Sequence, residues 1–119
     1  MTVRDLLAAS DSDDLEFQRF INAFVDDFRR ADRTGRQAMI AEGPQQCGKR
    51  EGLVAAVVSA LCREVGLAAP RWVRDIYSPE PFFVLPARGF ALRLRLMLES
   101  PPPFRSRNVF VPENYLARA

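Results

Sequence analysis

The segment Ser100 to Val111 reads Ser-Pro-Pro-Pro-Phe-Arg-Ser-Arg-Asn-Val-Phe-Val, and it strongly constrains what this chain can fold into. Each of its three prolines fixes φ and lacks an N–H, so the element before them ends there. Phe104, Val109, Phe110 and Val111 then bring apolar surface that must be covered. Arg105, Arg107 and Asn108 lie between these residues and carry planar, multi-donor groups. Such a segment cannot fold alone. It reads as an extended C-terminal strap, residues 101–119, laid across a helical body.

The body follows from periodicity. Thr2 can cap a short helix through Ala8, with Val3, Leu6 and Leu7 on one side. Ser10-Asp11-Ser12-Asp13 reads as a turn and a cap, with Ser12 the expected N-cap of a helix from Asp13 to Ala31. Phe17, Phe20, Ile21, Phe24, Val25 and Phe28 recur there at i, i+3, i+4, i+7, i+8 and i+11, a stripe that faces a core. Thr34 and Gln37 have the spacing of a capping box for a helix from Gly35 to Ala41. Gly43-Pro44 ends it.

Lys49 to Val65 leaves little polar surface from Leu53 onward, so it is the expected most buried helix, closed by Gly66. Pro70 opens a turn carrying Trp72 and Val73. Tyr77 to Pro81 is a non-helical connection. Phe82, Phe83, Val84 and Leu85 form an apolar cluster before Pro86.

Ala87 to Ser100 supports two readings. Phe90, Leu92, Leu94, Leu96 and Leu98 alternate with Ala91, Arg93, Arg95 and Met97, which suits a half-buried strand. Composition points the other way: Ala, Leu, Arg, Met and Glu favour helix, and no β-branched residue occurs from Leu85 through Asn108. The expectation is a helix that buries Phe90, Leu94, Met97 and Leu98. The fold class is therefore all-α. It is a single domain over residues 1–119, a bundle of about five helices with the strap packed on it.

Totals exclude several functions. The chain has 119 residues, 48% hydrophobic and 27% charged, which suits one globular core. The longest apolar run, Leu53 to Cys62, has ten residues, far from the roughly 20 that span a bilayer. No membrane association is expected, and no secretion signal is read at the N-terminus, so the expected location is cytoplasmic. There is no histidine and there are two cysteines, Cys47 and Cys62. That removes zinc sites with His ligands and Ser-His or Cys-His catalysis. No metal, cofactor or small-molecule substrate is expected.

Catalytic groups do not converge either. Asp26 and Asp27 are helix neighbours and point about 100° apart. Gly43 to Lys49 has the form Gly-x-x-x-x-Gly-Lys, but Arg50 stands where a phosphate-binding loop needs Ser or Thr. Pro44 lies inside it and no apolar strand precedes it. It reads as a loop entering a helix. An enzyme is not expected.

Charge is unevenly spread. Residues 1–66 carry nine Lys+Arg against eleven Asp+Glu, net −2, and residues 67–119 carry eight Arg against four acids, net +4. An arginine-rich face suits an acidic partner or nucleic acid. Arg105, Arg107 and Asn108 have two readings. They can bond backbone carbonyls within the strap, or form the polar rim of a docking patch. Arg93 and Arg95 adjoin them if their segment is helical.

The run Glu99-Ser-Pro-Pro-Pro-Phe104-Arg105-x-Arg107-Asn108-x-Phe110-Val111, followed by Asn114-x-Leu116-x-Arg118, resembles the C-terminal signature of a family of small, mostly uncharacterised bacterial proteins. Many of these stand beside nucleotidyltransferase-fold toxins as their antitoxins. Trp72 after Gly66-Leu67-x-x-Pro70, and Arg36-x-Ala38-x-Ile40-x-Glu42-x-Pro44, resemble the same family. Ala117 departs from it, since Ser is expected there. The resemblance implies an interaction protein. Together with the charge split and the strap it makes a protein-binding module the expected function, with a nucleotidyltransferase-type toxin as the expected partner and Arg105, Arg107 and Asn108 as the best contact candidates, joined by Arg93 and Arg95 if their segment is helical. A small nucleic-acid-binding regulator that uses the Arg-rich second half is the alternative.

Overall fold

The computed structural model describes residues 1–9, 12–84 and 90–118. The expected turn at Ser10-Asp11, the residues Leu85 and Pro86, and the expected helix start at Ala87 fall outside it. So do the side chains of Phe90, Ala117 and Arg118.

Helix α1 spans Val3–Ala8 and is capped by Thr2, which accepts from the Asp5 N–H while the Asp5 carboxylate accepts from the Thr2 N–H. Helix α2 spans Asp14–Arg30 and buries Phe17, Ile21, Phe24, Val25 and Phe28, with Phe20 half-buried. Its cap is Asp13, not Ser12: the Asp13 carboxylate accepts from Glu16 N at 2.7 Å. The Ser12 hydroxyl instead donates to Ala9 O, closing the turn after α1. Helix α3 spans Arg33–Ile40, one to two residues earlier than the capping-box spacing suggests. Asp32 caps it by accepting from Gly35 N at 2.7 Å, and an aspartate caps at least as well as a threonine.

Helix α4 runs Lys49–Val65 and holds nine buried residues, so it is the axis of the core. Gly66 takes φ +70° and closes it, with Leu67 N bonded to Cys62 O at 2.9 Å. Only glycine adopts that backbone region without strain. Cys62 is buried and Cys47 exposed. A 3₁₀ turn, Arg71–Arg74, follows Pro70. Trp72 lies flat on Gly43, where a β-carbon would fall 2.1 Å from its ring. Its indole N–H donates to Ile40 O at 2.9 Å. Arg36 closes the end of α2 by donating to Phe28 O and Arg29 O. These contacts join α2, α3 and the 3₁₀ turn, and α4 packs against α2 and the 3₁₀ turn.

The fold is mainly helical, as expected, with six α-helices among the described residues. Two features correct the sequence reading. Phe82–Phe83 (β1) pairs in parallel with Val109–Phe110 (β2), Phe82 opposite Val109 and Phe83 opposite Phe110. The strap is also not wholly extended: it contains α6, Pro102–Arg105, and a 3₁₀ turn at Tyr115–Arg118. Proline lacks an N–H that the first turn of a helix does not use, so Pro102 and Pro103 start α6 instead of preventing it. Among the described residues no helix is long and apolar enough to cross a membrane.

Phe104 is fully buried, Phe110 is buried and Leu116 is half-buried, so the strap is part of the core. Arg29 fixes its end. That guanidinium pairs with both Glu64 carboxylate oxygens, at 3.1 and 3.0 Å, and donates to Leu116 O at 3.1 Å. Tyr115 packs edge-on to Phe104 and donates its hydroxyl to Gln18 Oε1 at 2.6 Å.

Candidate protein-docking surface

The parallel ladder is a wall with two faces, because alternate residues of a strand point to opposite sides. Phe82, Val109 and Val111 join the main core. Phe83 and Phe110 turn the other way, with ring centroids 5.1 Å apart, and pack with Leu96. Leu96 belongs to α5, Phe90–Glu99. The C-terminal end of α5 is tied down by Ser100, whose Oγ lies 2.6 Å from Leu96 O and accepts from Val111 N at 2.8 Å.

The ambiguous segment is thus a helix, but its expected buried face is wrong. Leu94 is 41% exposed, Met97 41% and Leu98 70%, while Leu96 is buried. The cause is the period of the leucines. A helix turns about 100° per residue, so residues two apart stand about 200° apart. Leu96 falls on one side and Leu94 and Leu98 on nearly the opposite one; Leu92, on the Leu96 side one turn earlier, is still 44% exposed. Only one side can meet Phe83 and Phe110. Phe90, the fourth residue of the expected face, lies outside the described side chains.

The arginines divide into two groups. Arg107 faces inward. It donates to Val73 O through Nε at 3.2 Å and Nη2 at 3.0 Å, and to Pro103 O through Nη1 at 2.8 Å. Burial pushes its pKa down. Asn108 takes φ +64°, a left-handed conformation that Asn tolerates, and its Nδ2 donates to Ser78 O at 3.2 Å. These two residues brace the strap against the segment from Val73 to Ser78.

The other arginines face outward. Arg93 lies over the Phe83 ring, 5.3 Å from its centroid. Arg95 pairs with Glu99 at 2.9 Å, one helical turn on. Arg105 is exposed on α6, and among the described residues none pairs with its guanidinium. The structure brings Arg93 and Arg95 beside the exposed leucine stripe and sets Arg107 and Asn108 apart from it.

Gly43 to Gly48 is irregular and follows α3, not a strand, and Lys49 Nζ stands 3.8 Å from Glu80. Among the described residues no three His, Cys, Asp or Glu side chains converge as a metal site. Residues that the sequence reading passed over are Ser78 and Ser100, both buried hubs, and Leu15, which is 70% exposed. Serine hubs leave no periodic signal. Leu15 was legible, since it lies off the phenylalanine stripe of α2 while being a large apolar residue.

No known protein family, curated protein or solved structure matches this chain.

Proposed function

We propose that this chain acts by binding another protein, as an antitoxin-like partner that neutralises a nucleotidyltransferase-type toxin. The observation that carries the protein-binding part is the outer face of α5. Leu94, Met97 and Leu98 form a contiguous apolar stripe at helical spacing, exposed and flanked by arginines. Exposed apolar patches rimmed by polar groups mark interaction surfaces. The nature of the partner rests on the C-terminal motif described above.

The contact set is then Leu94, Met97, Leu98, Arg93, Arg95 and Arg105, with Arg107 and Asn108 holding the frame that presents them. Arginine forms bidentate bonds to carboxylates. Arg105 and Arg95 set against the metal-binding carboxylates of a nucleotidyltransferase block its metal and hence phosphoryl transfer. Nucleic-acid binding through the second half has less to draw on. Arg107 is engaged with backbone carbonyls.

The test is co-expression with the protein encoded by the neighbouring gene. Growth arrest by that protein alone, relieved by this chain and restored by Leu98→Glu or Arg105→Ala, supports the reading. A harmless neighbour that does not co-purify overturns it. Salt separates the alternative: phosphate contacts weaken log-linearly with salt, an apolar interface far less.

A further inference from the structure

An apolar cleft of about 320 Å³ opens between the start of α2, the start of α4 and β1. Leu15, Phe17, Leu53, Phe82 and Val84 line it. Phe17 and Leu53 are buried members of the main core, Phe82 and Val84 are half-buried against that core, and Leu15 is exposed. The cleft is thus floored by core side chains and open at Leu15. Its volume falls at the lower end of the roughly 300–1,000 Å³ of small-molecule pockets. It is about twice that of a ~150 Å³ apolar cavity that stays dry and binds benzene.

The polar groups of the lining decide what can enter. Asp14, Gln18 and Arg50 are the polar residues of the described lining, and each is already bonded within the chain. Arg50 donates to Ser12 O at 2.7 Å and to Asp14 Oδ1 at 3.1 Å, and its guanidinium lies 4.5 Å from the centroid of the Phe17 ring. Gln18 donates through Nε2 to Asn22 Oδ1 at 3.0 Å and accepts from the Tyr115 hydroxyl at 2.6 Å. The two charges of the lining therefore cancel. A ligand carboxylate would have to displace Asp14 from Arg50, making one ion pair and losing another. A ligand ammonium would meet an Asp14 side chain that is 93% exposed, where an ion pair contributes little. A peptide would bring backbone donors and acceptors that must break these bonds or stay unpaired.

We propose that the cleft is a binding site for a small uncharged aromatic molecule of one or two rings. Such a molecule leaves the bonds of Arg50 and Gln18 intact. The rings of Phe17 and Phe82 offer it offset or edge-on contacts, and the apolar surface it covers with Leu15 and Val84 supplies the affinity. The inference goes beyond the protein-binding reading and does not rest on it, since no described residue of α5 lines the cleft.

Methyl NMR of the full chain tests it, with naphthalene as the probe and 2-naphthoate and 2-naphthylmethylammonium as its charged counterparts. Naphthalene should give saturable shifts at the methyls of Leu15, Leu53 and Val84 and leave those of Leu94 and Leu98 unmoved. Either charged counterpart should bind at least about tenfold more weakly, because a charge taken into an apolar site loses its hydration. Leu15→Glu changes an exposed side chain, so its melt should stay cooperative, while naphthalene should bind at least about tenfold more weakly beside the new charge. Leu98→Glu should leave naphthalene binding unchanged. The absence of a saturable shift up to the solubility limit of naphthalene overturns the proposal. So do shifts centred on α5, or an affinity that Leu15→Glu does not change. If 2-naphthoate binds as tightly as naphthalene, Arg50 recruits a carboxylate and the uncharged ligand class is wrong. If the cleft methyls move with protein concentration alone, a second copy covers them, and the proposal falls. It falls too if they move with the protein encoded by the neighbouring gene and not with naphthalene, since the cleft then belongs to a protein interface.

Discussion

A β-carbon at Gly52 would stand 2.6 Å from the Ser78 amide nitrogen. The backbone of residues 77 and 78 therefore rests directly on α4, and the contact organises the strap. Ser78 N donates to Arg107 O at 2.9 Å, and Ser78 O accepts from Asn108 Nδ2. The buried Ser78 hydroxyl bonds Glu80 O. Helix, connection and strap meet at one glycine.

Gly52→Ala should destabilise the protein. Alanine gains about 1 kcal/mol of helix propensity over glycine. Here the added methyl meets backbone, which cannot rotate away, and overpacking costs about 1–3 kcal/mol. The net effect is a lower melting temperature, measured by circular dichroism. An unchanged or higher melt would show that the 77–78 backbone is not held against α4.

Arg107→Ala should lower the stability by about 2–3 kcal/mol, since it leaves two backbone carbonyls without their charged donor. Arg107→Lys should recover less than half. One ammonium does not reproduce a planar fork that bridges Val73 O and Pro103 O. Arg105→Ala, on the exposed side of α6, should leave denaturant midpoints unchanged. Equal effects at the two positions would remove the distinction drawn between a bracing and an outward-facing arginine.

The contrast between α4 and the strap shows what the sequence can carry. The bounds of α4 follow from an apolar run and a glycine at its end, both local signals, and the structure keeps them. The type of α5 also follows from local propensity. Its orientation does not, because leucines at period two on a helix define two opposed faces, and the choice is made by Phe83 and Phe110. The ladder itself is too short for a periodic signal. Arg107 and Arg105 look alike in the sequence. Only the approach of Val73 turns one into a brace.

Alkaline pH should weaken the fold through Tyr115. Burial pushes its phenol up to about 12 from an ordinary value of 10.0. The folded state thus favours the neutral form. The associated stability is present below pH 10, where the unfolded chain also keeps its proton, and is lost as pH rises towards about 12. Two pKa units correspond to roughly 3 kcal/mol. Tyr115→Phe should cost about 1 kcal/mol at neutral pH through the lost bond to Gln18. Its stability should then fall less than that of the wild type between pH 10 and 12. Parallel pH curves for the two proteins would rule out Tyr115 as the source.

Leu96 and Leu98 should respond oppositely, although they lie two residues apart on one helix. Leu96 is 5% exposed against Phe83 and Phe110, and Leu98 is 70% exposed. Leu96→Ala removes a packed side chain from a small cluster and should cost about 2 kcal/mol or more in urea denaturation. It should also speed hydrogen exchange across α5, because Leu96 packs the helix against the ladder. Leu98→Ala should shift the urea midpoint by less than about 0.5 kcal/mol. Leu98→Ala should still weaken association with the proposed partner, since its contribution is made only when another surface covers it. If Leu98→Ala destabilises the isolated monomer as much as Leu96→Ala does, the outer stripe is already covered by its own chain, and α5 offers nothing to dock.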